Sequence, residues 1–398
     1  MRVPPALLAL LLASACGPTL LSVAPQQVAA GGVIRVQGQG FDPSLALRLE
    51  GVPGTISLSV SDVQQTTATA SVPSSSPAGV YDVVALTAGG EFRLPQALTV
   101  ATGELQVFFI DVGQGDGTLL IAPDGTTLLL DGGPPEAVSI VRQIVADKVA
   151  GPLDMVAVTH THADHLGGIV GLLRGPDNRA GTDDDIVPAV AWIGHDDSVC
   201  DSQLCAEYRT LRGAPFEKPD VGAVFDFGGA TIRVLARDGD AGSGLFANVD
   251  DPNEMSLALL VEFGGRRLFL GGDLTGGGIG SVDLEGALAA ALGPVDVVHL
   301  SHHGSRTSSS EGFLRALQPR AVIVSVGTDN SFCHPDVSVL DHLRDLGIKA
   351  FATGAGMVDD VGACDGPTLW PASAQPALGT FSLVLQADGA MTLAGTAL

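Results

Sequence analysis

From residue 19 to about 100, apolar and polar positions alternate over short stretches, and Gly, Pro or Ser closes each stretch. Val33-Ile34-Arg35-Val36, Leu45 to Leu49, Ile56 to Val60, Tyr81 to Leu86 and Phe92 to Leu94 read as strands. A period of two turns every second side chain to one face, and short strands at this spacing predict a small β-sandwich. The texture changes at Glu104. Strand-like runs at Leu105 to Ile110, Thr118 to Ile121, Thr126 to Leu130, Asp154 to Val158, Ala189 to Ile193, Thr231 to Leu235, Ser256 to Phe263, Arg267 to Leu270 and Val295 to Leu300 are interleaved with helical patterns. Helices are expected near Ala137 to Val149, Val282 to Leu292, Gly312 to Leu317 and Val337 to Leu346. The pattern predicts a layered α/β body over residues 104–398 behind an all-β unit over 19–100.

The first sixteen residues do not belong to either unit. Arg2, the apolar run Val3 to Leu12 and Ala13-Ser14-Ala15-Cys16 read as a signal peptide, the run being too short to span a bilayer. The small residues before Cys16 resemble a lipoprotein cleavage box, although Ala13 stands where Leu is usual. Membrane attachment through a lipidated Cys16 is expected, with plain secretion as the alternative. The protein is then exported, as an outer-membrane or cell-surface lipoprotein or into the periplasm or medium. No transmembrane helix is expected. Removing Cys16 leaves Cys200, Cys205, Cys333 and Cys364. Two disulfides, Cys200–Cys205 and Cys333–Cys364, suit an oxidising compartment; a zinc site is disfavoured because no pair has two-residue spacing.

Charge narrows the partners. Lys and Arg number 20 against 44 Asp and Glu, a formal charge of −24. Such a surface gains little from counterion release, which argues against a broad nucleic-acid groove but not against a local, metal-lined one. The acidic loop 177–185 is a solvated turn or, less expectedly, a Ca²⁺ site.

The chemistry concentrates in Val158-Thr159-His160-Thr161-His162-Ala163-Asp164-His165. A strand runs into three His and one Asp within six residues. His160 and His162 can share a face, and Asp164 and His165 follow in the turn, available to a second ion. Imidazole and carboxylate suit Zn²⁺, Mn²⁺ or Fe²⁺. Surface histidines met by chance are the alternative.

This run resembles the metallo-β-lactamase superfamily, and the likeness extends over residues 104 to 398. It implies an αββα sandwich with two divalent metal ions, Zn or Mn, at its open edge. His160 and His162 are then expected on the first ion, Asp164 and His165 on the second, and Asp273 of Gly271-Gly272-Asp273 between them. Asp131, closing Leu128-Leu129-Leu130, is expected to orient ligands. In Ser301-His302-His303-Gly304, one His completes the metal set. His303 is the expected ligand, with His302 facing substrate. Many members carry a further ligand His before the bridging Asp. Here only His195 lies in that interval, and it reads as a strand-end surface residue. Asn253 is expected near the metals, as a weak ligand or a partner of bound water, so the first site is expected to be looser.

The ordered set Asp111-Val112-Gly113-Gln114-Gly115-Asp116, Asn253 to Ser256, Asp273, His302-His303-Gly304-Ser305 and His334-Pro335 resembles the soluble domain of ComEC/Rec2-type competence proteins and their secreted relatives, including choline-phosphate esterases. The channel part of that family has no counterpart, so DNA import does not follow. Asp111, Gln114 and Asp116 are expected as a turn near the metals, and His334 as a proton donor at the pocket. Residues 19–100 resemble an IPT/TIG immunoglobulin-like domain through Ser22-Val23-Ala24-Pro25, Val36-Gln37-Gly38-Gln39-Gly40-Phe41 and Ala78-Gly79-Val80-Tyr81-Asp82-Val83.

The reaction that the resemblance implies is phosphodiester hydrolysis by a metal-bridged hydroxide oriented by Asp164, on DNA or a small phosphodiester, with His302 or His334 serving the phosphoryl or leaving oxygen. Hydrolysis at a lactone or β-lactam carbon, and a non-catalytic binding lipoprotein, are the alternatives.

Overall fold

A computed structural model describes residues 19–398, apart from 53, 74, 102, 150–151, 195–199, 201, 213–215, 243–250 and 359–365. The signal segment with Cys16, His195 and Cys364 therefore lie outside the described residues. The chain divides into two compact units, residues 1–100 and 101–398. Among the described residues no helix is long and apolar enough to cross a membrane.

The N-terminal unit is all β. One sheet orders its strands as Thr19–Ala24, Val33–Gln39, Thr67–Ser71 and Ser59–Ser61; the other as Gln27–Ala29, Gly90–Ala101, Gly79–Thr87, Ala46–Gly51 and Gly54–Ser57. Period-two burial closes the space between them: Ile34 and Val36 from one sheet meet Leu47, Leu49, Val83 and Leu98 from the other. The run Ile56 to Val60, expected as one strand, is two. It leaves the second sheet after Ser57 and enters the first at Ser59, with Leu58 buried in the core between. Tyr81 is fully buried, and its hydroxyl donates to Pro77 O at 2.9 Å, which satisfies the one polar atom of that ring.

The second unit is the expected αββα sandwich. A nine-stranded mixed sheet contains, among others, Glu104–Phe109, Gly117–Ile121, Thr127–Gly132, Met155–Val158 and Val190–Ile193. A seven-stranded sheet contains Ala230–Ala236, Ala258–Phe263, Arg266–Leu270, Val297–His299, Ala321–Val324 and Lys349–Ala352. Successive residues of a strand serve different layers. Leu128 and Leu130 point into the space between the sheets and Leu129 away from it; so do Leu268 and Leu270 against Phe269. Helices α1 (Val138–Lys148), α2 (Ala163–Leu173) and α3 (Gln203–Leu211) cover the outer face of the first sheet, as the shared core of Val141, Leu166, Ile169 and Tyr208 shows. Helices α4 (Leu284–Leu292), α5 (Glu311–Leu317) and α6 (Val337–Leu346) cover the second, through Leu288, Phe313 and Leu340.

The strand-end segment holds a correction. Asp164 and His165 do not lie in a turn; they open α2, directly after His162 as its N-cap. Leu166, Ile169, Val170 and Leu173 have helical spacing, but Gly167, Gly168 and Gly171 hid it. Those glycines are there for approach: a Cβ on Gly168 would sit 1.8 Å from Gly132 O, so the helix rides directly on the strand that carries Asp131 and ends at Gly132. Helix α3 was also not anticipated, nor the late strand Phe381–Gln386, which pairs with Glu104–Phe109 across the whole unit.

Candidate metal centre

The strands that carry the chemistry end at one edge. Thr127–Gly132 and Met155–Val158 run parallel in one sheet, as Arg266–Leu270 and Val297–His299 do in the other. Their carboxyl ends deliver Asp131, the Thr159–His165 segment, Asp273 and the His302-His303 pair to the same place, where open α/β sheets leave a crevice. The hairpin turn Asp111 to Asp116 closes it from the side. Asp116 N donates to Asp164 O at 3.1 Å, and a Cβ on Gly115 (φ 137°) would lie 2.2 Å from that same oxygen.

Each buried ring is held by one nitrogen. His165 Nδ1 donates to Asp131 Oδ2 at 2.8 Å. Asp131 also accepts from the Thr159 amide at 2.7 Å and hydroxyl at 2.6 Å. His160 Nδ1 donates to Thr159 Oγ1 at 3.2 Å, since that hydroxyl has already given its proton to Asp131. His303 Nδ1 donates to Ser325 O at 3.1 Å, with Asp116 Oδ1 also at 3.1 Å. A second nitrogen anchored to a carbonyl or carboxylate fixes the tautomer and leaves Nε2 as a lone pair, the arrangement of metal-binding histidines.

Those lone pairs converge on Asp273. Its Oδ1 lies 3.2 Å from His165 Nε2 and 3.7 Å from His303 Nε2; its Oδ2 lies 3.6 Å from His160 Nε2 and 3.7 Å from His302 Nε2. His303 Nε2 is also 3.4 Å from Asp164 Oδ2, and His160 Nε2 is 3.0 Å from His162 Nδ1. Asp273 Oδ1, Asp116 Oδ1, His165 Nε2 and His303 Nε2 are buried without a hydrogen-bond partner. Leaving such groups unpaired is costly, so the cluster calls for a cation. Ligands about 2.1 Å from a tetrahedral ion stand about 3.4 Å apart, which the 3.0–3.7 Å separations match. The residues present fit a divalent metal site.

Electrostatics of the chain alone agree. Burial, with the neighbouring charge of His165, holds His160 well below the usual imidazole range. Burial also opposes charge on His165 and His303, yet Asp273 with Asp131 raises the first and Asp273 with Asp116 the second well above that range. Asp273 resists burial because four histidines surround it, and its carboxyl stays well below the ordinary range. At Asp164 burial is outweighed by the hydrogen bond and charge of His303 and the charge of His165, so its carboxyl is lowered too. Burial then lifts Asp131, which His165 only partly offsets.

The remaining expected residues divide. Gln114 accepts from Gly327 N through Oε1 at 3.2 Å, and its Nε2 is buried without a partner beside the cavity. That cavity holds about 310 Å³ and is lined by Gln114, His162, Asp164, His302, Phe332 and His334. Burial, helped by the charges of His303 and His302, pushes His334 down to about 3. Its Nδ1 is buried without a partner beside the cavity. Asp111 is a turn residue, not a member of the cluster: its Oδ1 accepts from Gly113 N at 3.3 Å. Asn253 N donates to Asp251 Oδ1, and its own Oδ1 is buried without a partner. Its neighbour Ser256 reaches the centre by accepting from Asp273 N at 3.1 Å. The acidic loop does not gather its carboxylates: Asp177, Asp184 and Asp185 each accept from the loop's own amides, and none belongs to a converging cluster. Asp116, expected only as part of a turn near the metals, itself belongs to the converging clusters, and buried His299 was missed. His299 Nε2 lies 3.7 Å from Asp116 Oδ1 and 2.8 Å from Ser325 Oγ. His299 sits two places before the SHHG segment inside an apolar strand, where a hydrophobic reading hides it. The Cys200–Cys205 disulfide is formed, and Cys333 is disulfide-bonded.

Comparison with known proteins matches this architecture. Residues 126–312 match the family described as beta-lactamase superfamily domain. The Neisseria gonorrhoeae protein named competence protein ComA is 31% identical over 68% of this chain and 34% of its own length. ComE operon protein 3 of Bacillus subtilis is 27% identical over 63% of this chain and 32% of its own. Recombination protein 2 of Haemophilus influenzae is 27% identical over 60% and 26%. The chain carries a metallo-β-lactamase-fold domain that is ComEC/Rec2-like. It spans about a third or less of the length of these curated relatives. The ComEC/Rec2-like domain thus has a superfamily hydrolase fold and a His/Asp cluster fit for metal.

Proposed function

We propose that the chain is a metal-dependent phosphodiesterase. The observation that carries this reading is the set of buried, partnerless ligand atoms around Asp273 Oδ1, with His160 Nε2 at 3.6 Å from Oδ2. Divalent ions would be held by His160, His162 and Asp273 on one side and by Asp164, His165, His303 and Asp273 on the other; the ligand atoms of His160, His165 and Asp273, and those of Asp164, His165 and His303, already converge. Bound there, divalent ions supply a nucleophile from water near neutral pH and neutralise charge on the phosphoryl oxygens.

The chain's own residues prepare the rest. Asp131 and Thr159 fix the rings of His165 and His160, and Asp116 with Ser325 fixes that of His303. Asp164, at the cavity wall, orients the attacking water by accepting one of its hydrogen bonds. Gln114 presents two unused amide hydrogens to the cavity and is placed to bind a phosphoryl oxygen. In the reaction the water oxygen bonds to phosphorus, the ester P–O bond breaks, and a proton passes to the departing alkoxide.

A small or short phosphodiester is the favoured substrate. Relatives named for competence and recombination support a nucleic-acid phosphodiester, but a formal charge of −24 opposes a long duplex. We further propose export, in keeping with the Cys200–Cys205 disulfide, and attachment through Cys16. Mass spectrometry of the mature N-terminus tests this. The activity test is hydrolysis of bis(p-nitrophenyl) phosphate with Zn²⁺ and with Mn²⁺. EDTA-sensitive turnover is expected. Bound metal without turnover would remove the phosphodiesterase and favour a carbon centre.

A further inference from the structure

We infer that Phe332 is a specificity-determining residue: its exposed ring is a platform on which an unpaired nucleobase stacks while the attached phosphoryl group lies in the cavity. The inference rests on the phosphodiesterase reading above and deepens it by naming the group beside the phosphate. Phe332 is 63% exposed, the one aromatic ring among the exposed large apolar side chains of the described residues. It stands on the wall of the cavity of about 310 Å³, not at an arbitrary place on the surface. Apart from Ala163, every other side chain lining that cavity is polar or ionisable.

A closed loop holds the ring there. Asn330, itself buried, ties the neck of the loop. Its Nδ2 donates to Gly327 O at 3.0 Å and to His334 O at 2.9 Å, and its Oδ1 accepts from His334 N at 2.9 Å. Between these anchors Cys333 is left-handed (φ 60°) and disulfide-bonded. Met357 N also donates to His334 O at 2.9 Å. Phe332 is therefore pinned on both sides and meets a ligand with little ordering cost. Its ring lies against that of His334, with centroids 6.1 Å apart and planes 23° from parallel, within the range of offset stacking. His334 in turn meets His302 edge-on at 5.5 Å, and His302 Nε2 is 3.7 Å from Asp273 Oδ2. A row of rings thus leads from the candidate metal centre to the rim.

The form of the platform selects the ligand. A single open ring suits another flat ring, because base–aromatic stacking needs one face and tolerates any base. A quaternary ammonium is held by several aromatic faces around it, and here the second ring lies against the first instead of across from it. An alkyl chain needs a continuing apolar wall, and the cavity adds only Ala163. A base must leave its pair and its own stack to reach the ring, so the ligand is a nucleotide, a dinucleotide or a single-stranded end. That agrees with the formal charge of −24, which opposes a long duplex.

Calorimetric titration of the full chain in Zn²⁺ with thymidine monophosphate, deoxyribose phosphate and choline phosphate tests the platform without turnover. The first two share sugar and phosphate and differ by the base. Wild type is expected to bind thymidine monophosphate at least about 10-fold more tightly than deoxyribose phosphate. Phe332→Leu, a change at an exposed position, is expected to bring the two affinities together. Phe332→Trp is expected to keep or widen the gap. Equal binding by wild type, a gap intact in Phe332→Leu, tightest binding of choline phosphate, or binding of none of the three would each overturn the proposal. Hydrolysis of bis(p-nitrophenyl) phosphate, run alongside, separates the two readings. EDTA-sensitive turnover without a base preference overturns the platform alone. A preference that depends on Phe332, without turnover, supports the platform and overturns only the reaction.

Discussion

The N-terminal unit buries no carboxylate, imidazole or guanidinium among its described residues, whereas residues 101–398 bury Asp116, Asp131, Asp273, Glu285, His160, His165, His299 and His303. In the first unit the charges stay at the surface, where Arg93 pairs with Asp82 and Glu50 and Arg48 pairs with Glu50 and Glu91. Its interior is apolar, the hydroxyl of its buried Tyr81 is satisfied, and of its described side chains only Ser76 Oγ is buried without a partner. Burying ionisable groups is costly unless they are paired. The second unit accepts that cost and still leaves several of the atoms without a partner. One unit is built for packing alone, and the other keeps a polar centre that a cation completes.

The contrast is broken most directly at Asp273. Asp273→Ala is expected to abolish metal binding and hydrolysis together, since both halves of the cluster face that carboxylate. Calorimetric metal titration alongside the phosphodiester assay checks it, and full activity would remove the bridging role. Gly168→Ala comes next. Its Cβ would meet Gly132 O at 1.8 Å, backbone against backbone, with little room to yield. A loss of about 3 kcal/mol or more is expected in denaturant unfolding.

A subtler break lies at Asp131, whose φ of 56° Asn also tolerates. Asp131→Asn keeps that backbone but removes the charge behind His165. Metal affinity should fall about 10–100-fold with little change in fold, as competition against a chelator would show.

Glu285 sharpens the comparison through pH. Burial raises its carboxyl to about 8, against the hydrogen bond from the Ser309 amide. The group is protonated in the fold, so its stabilising contribution is full below the unfolded pKa near 4.5 and is lost as pH rises through about 8. Glu285→Gln is expected to flatten that decline, by up to a few kcal/mol at pH 9. Unfolding at pH 5 and pH 9 tests it; equal slopes in both proteins would refute it. The smallest effect is expected in the N-terminal unit. Arg93→Ala cuts exposed ion pairs, so the melting temperature should move little and hydrolysis not at all.

Nine strands of the second unit could be traced closely in advance because each is a short, mostly apolar run, whereas Ala321–Val324, Lys349–Ala352 and Phe381–Gln386 were not anticipated. Met155–Val158, Arg266–Leu270 and helix α6 lie at or within a residue or two of their expected limits. Helix α2 was hidden because glycines interrupt its apolar face. His299 was hidden because a buried His among Val and Leu looks like any core position. Asp111 looked like a site residue by its company in the motif, but its carboxylate serves its own turn.

What the sequence determined by itself was local: which residue types lie at strand ends, and which runs are apolar. That was enough for the layered sandwich and for the HTHADH, Asp273 and His302-His303 segments. Only the tertiary structure decided which atoms of those segments face each other. Asp116 is 187 residues from His303 and Asp131 is 34 from His165, yet carboxylate and imidazole meet at 3.1 Å in the first pair and 2.8 Å in the second. The proton on each ring depends on its partner across such a gap. The division of Asp273 between two pairs of imidazoles depends on left-handed backbone at His302 and His303, which no spacing rule foretells.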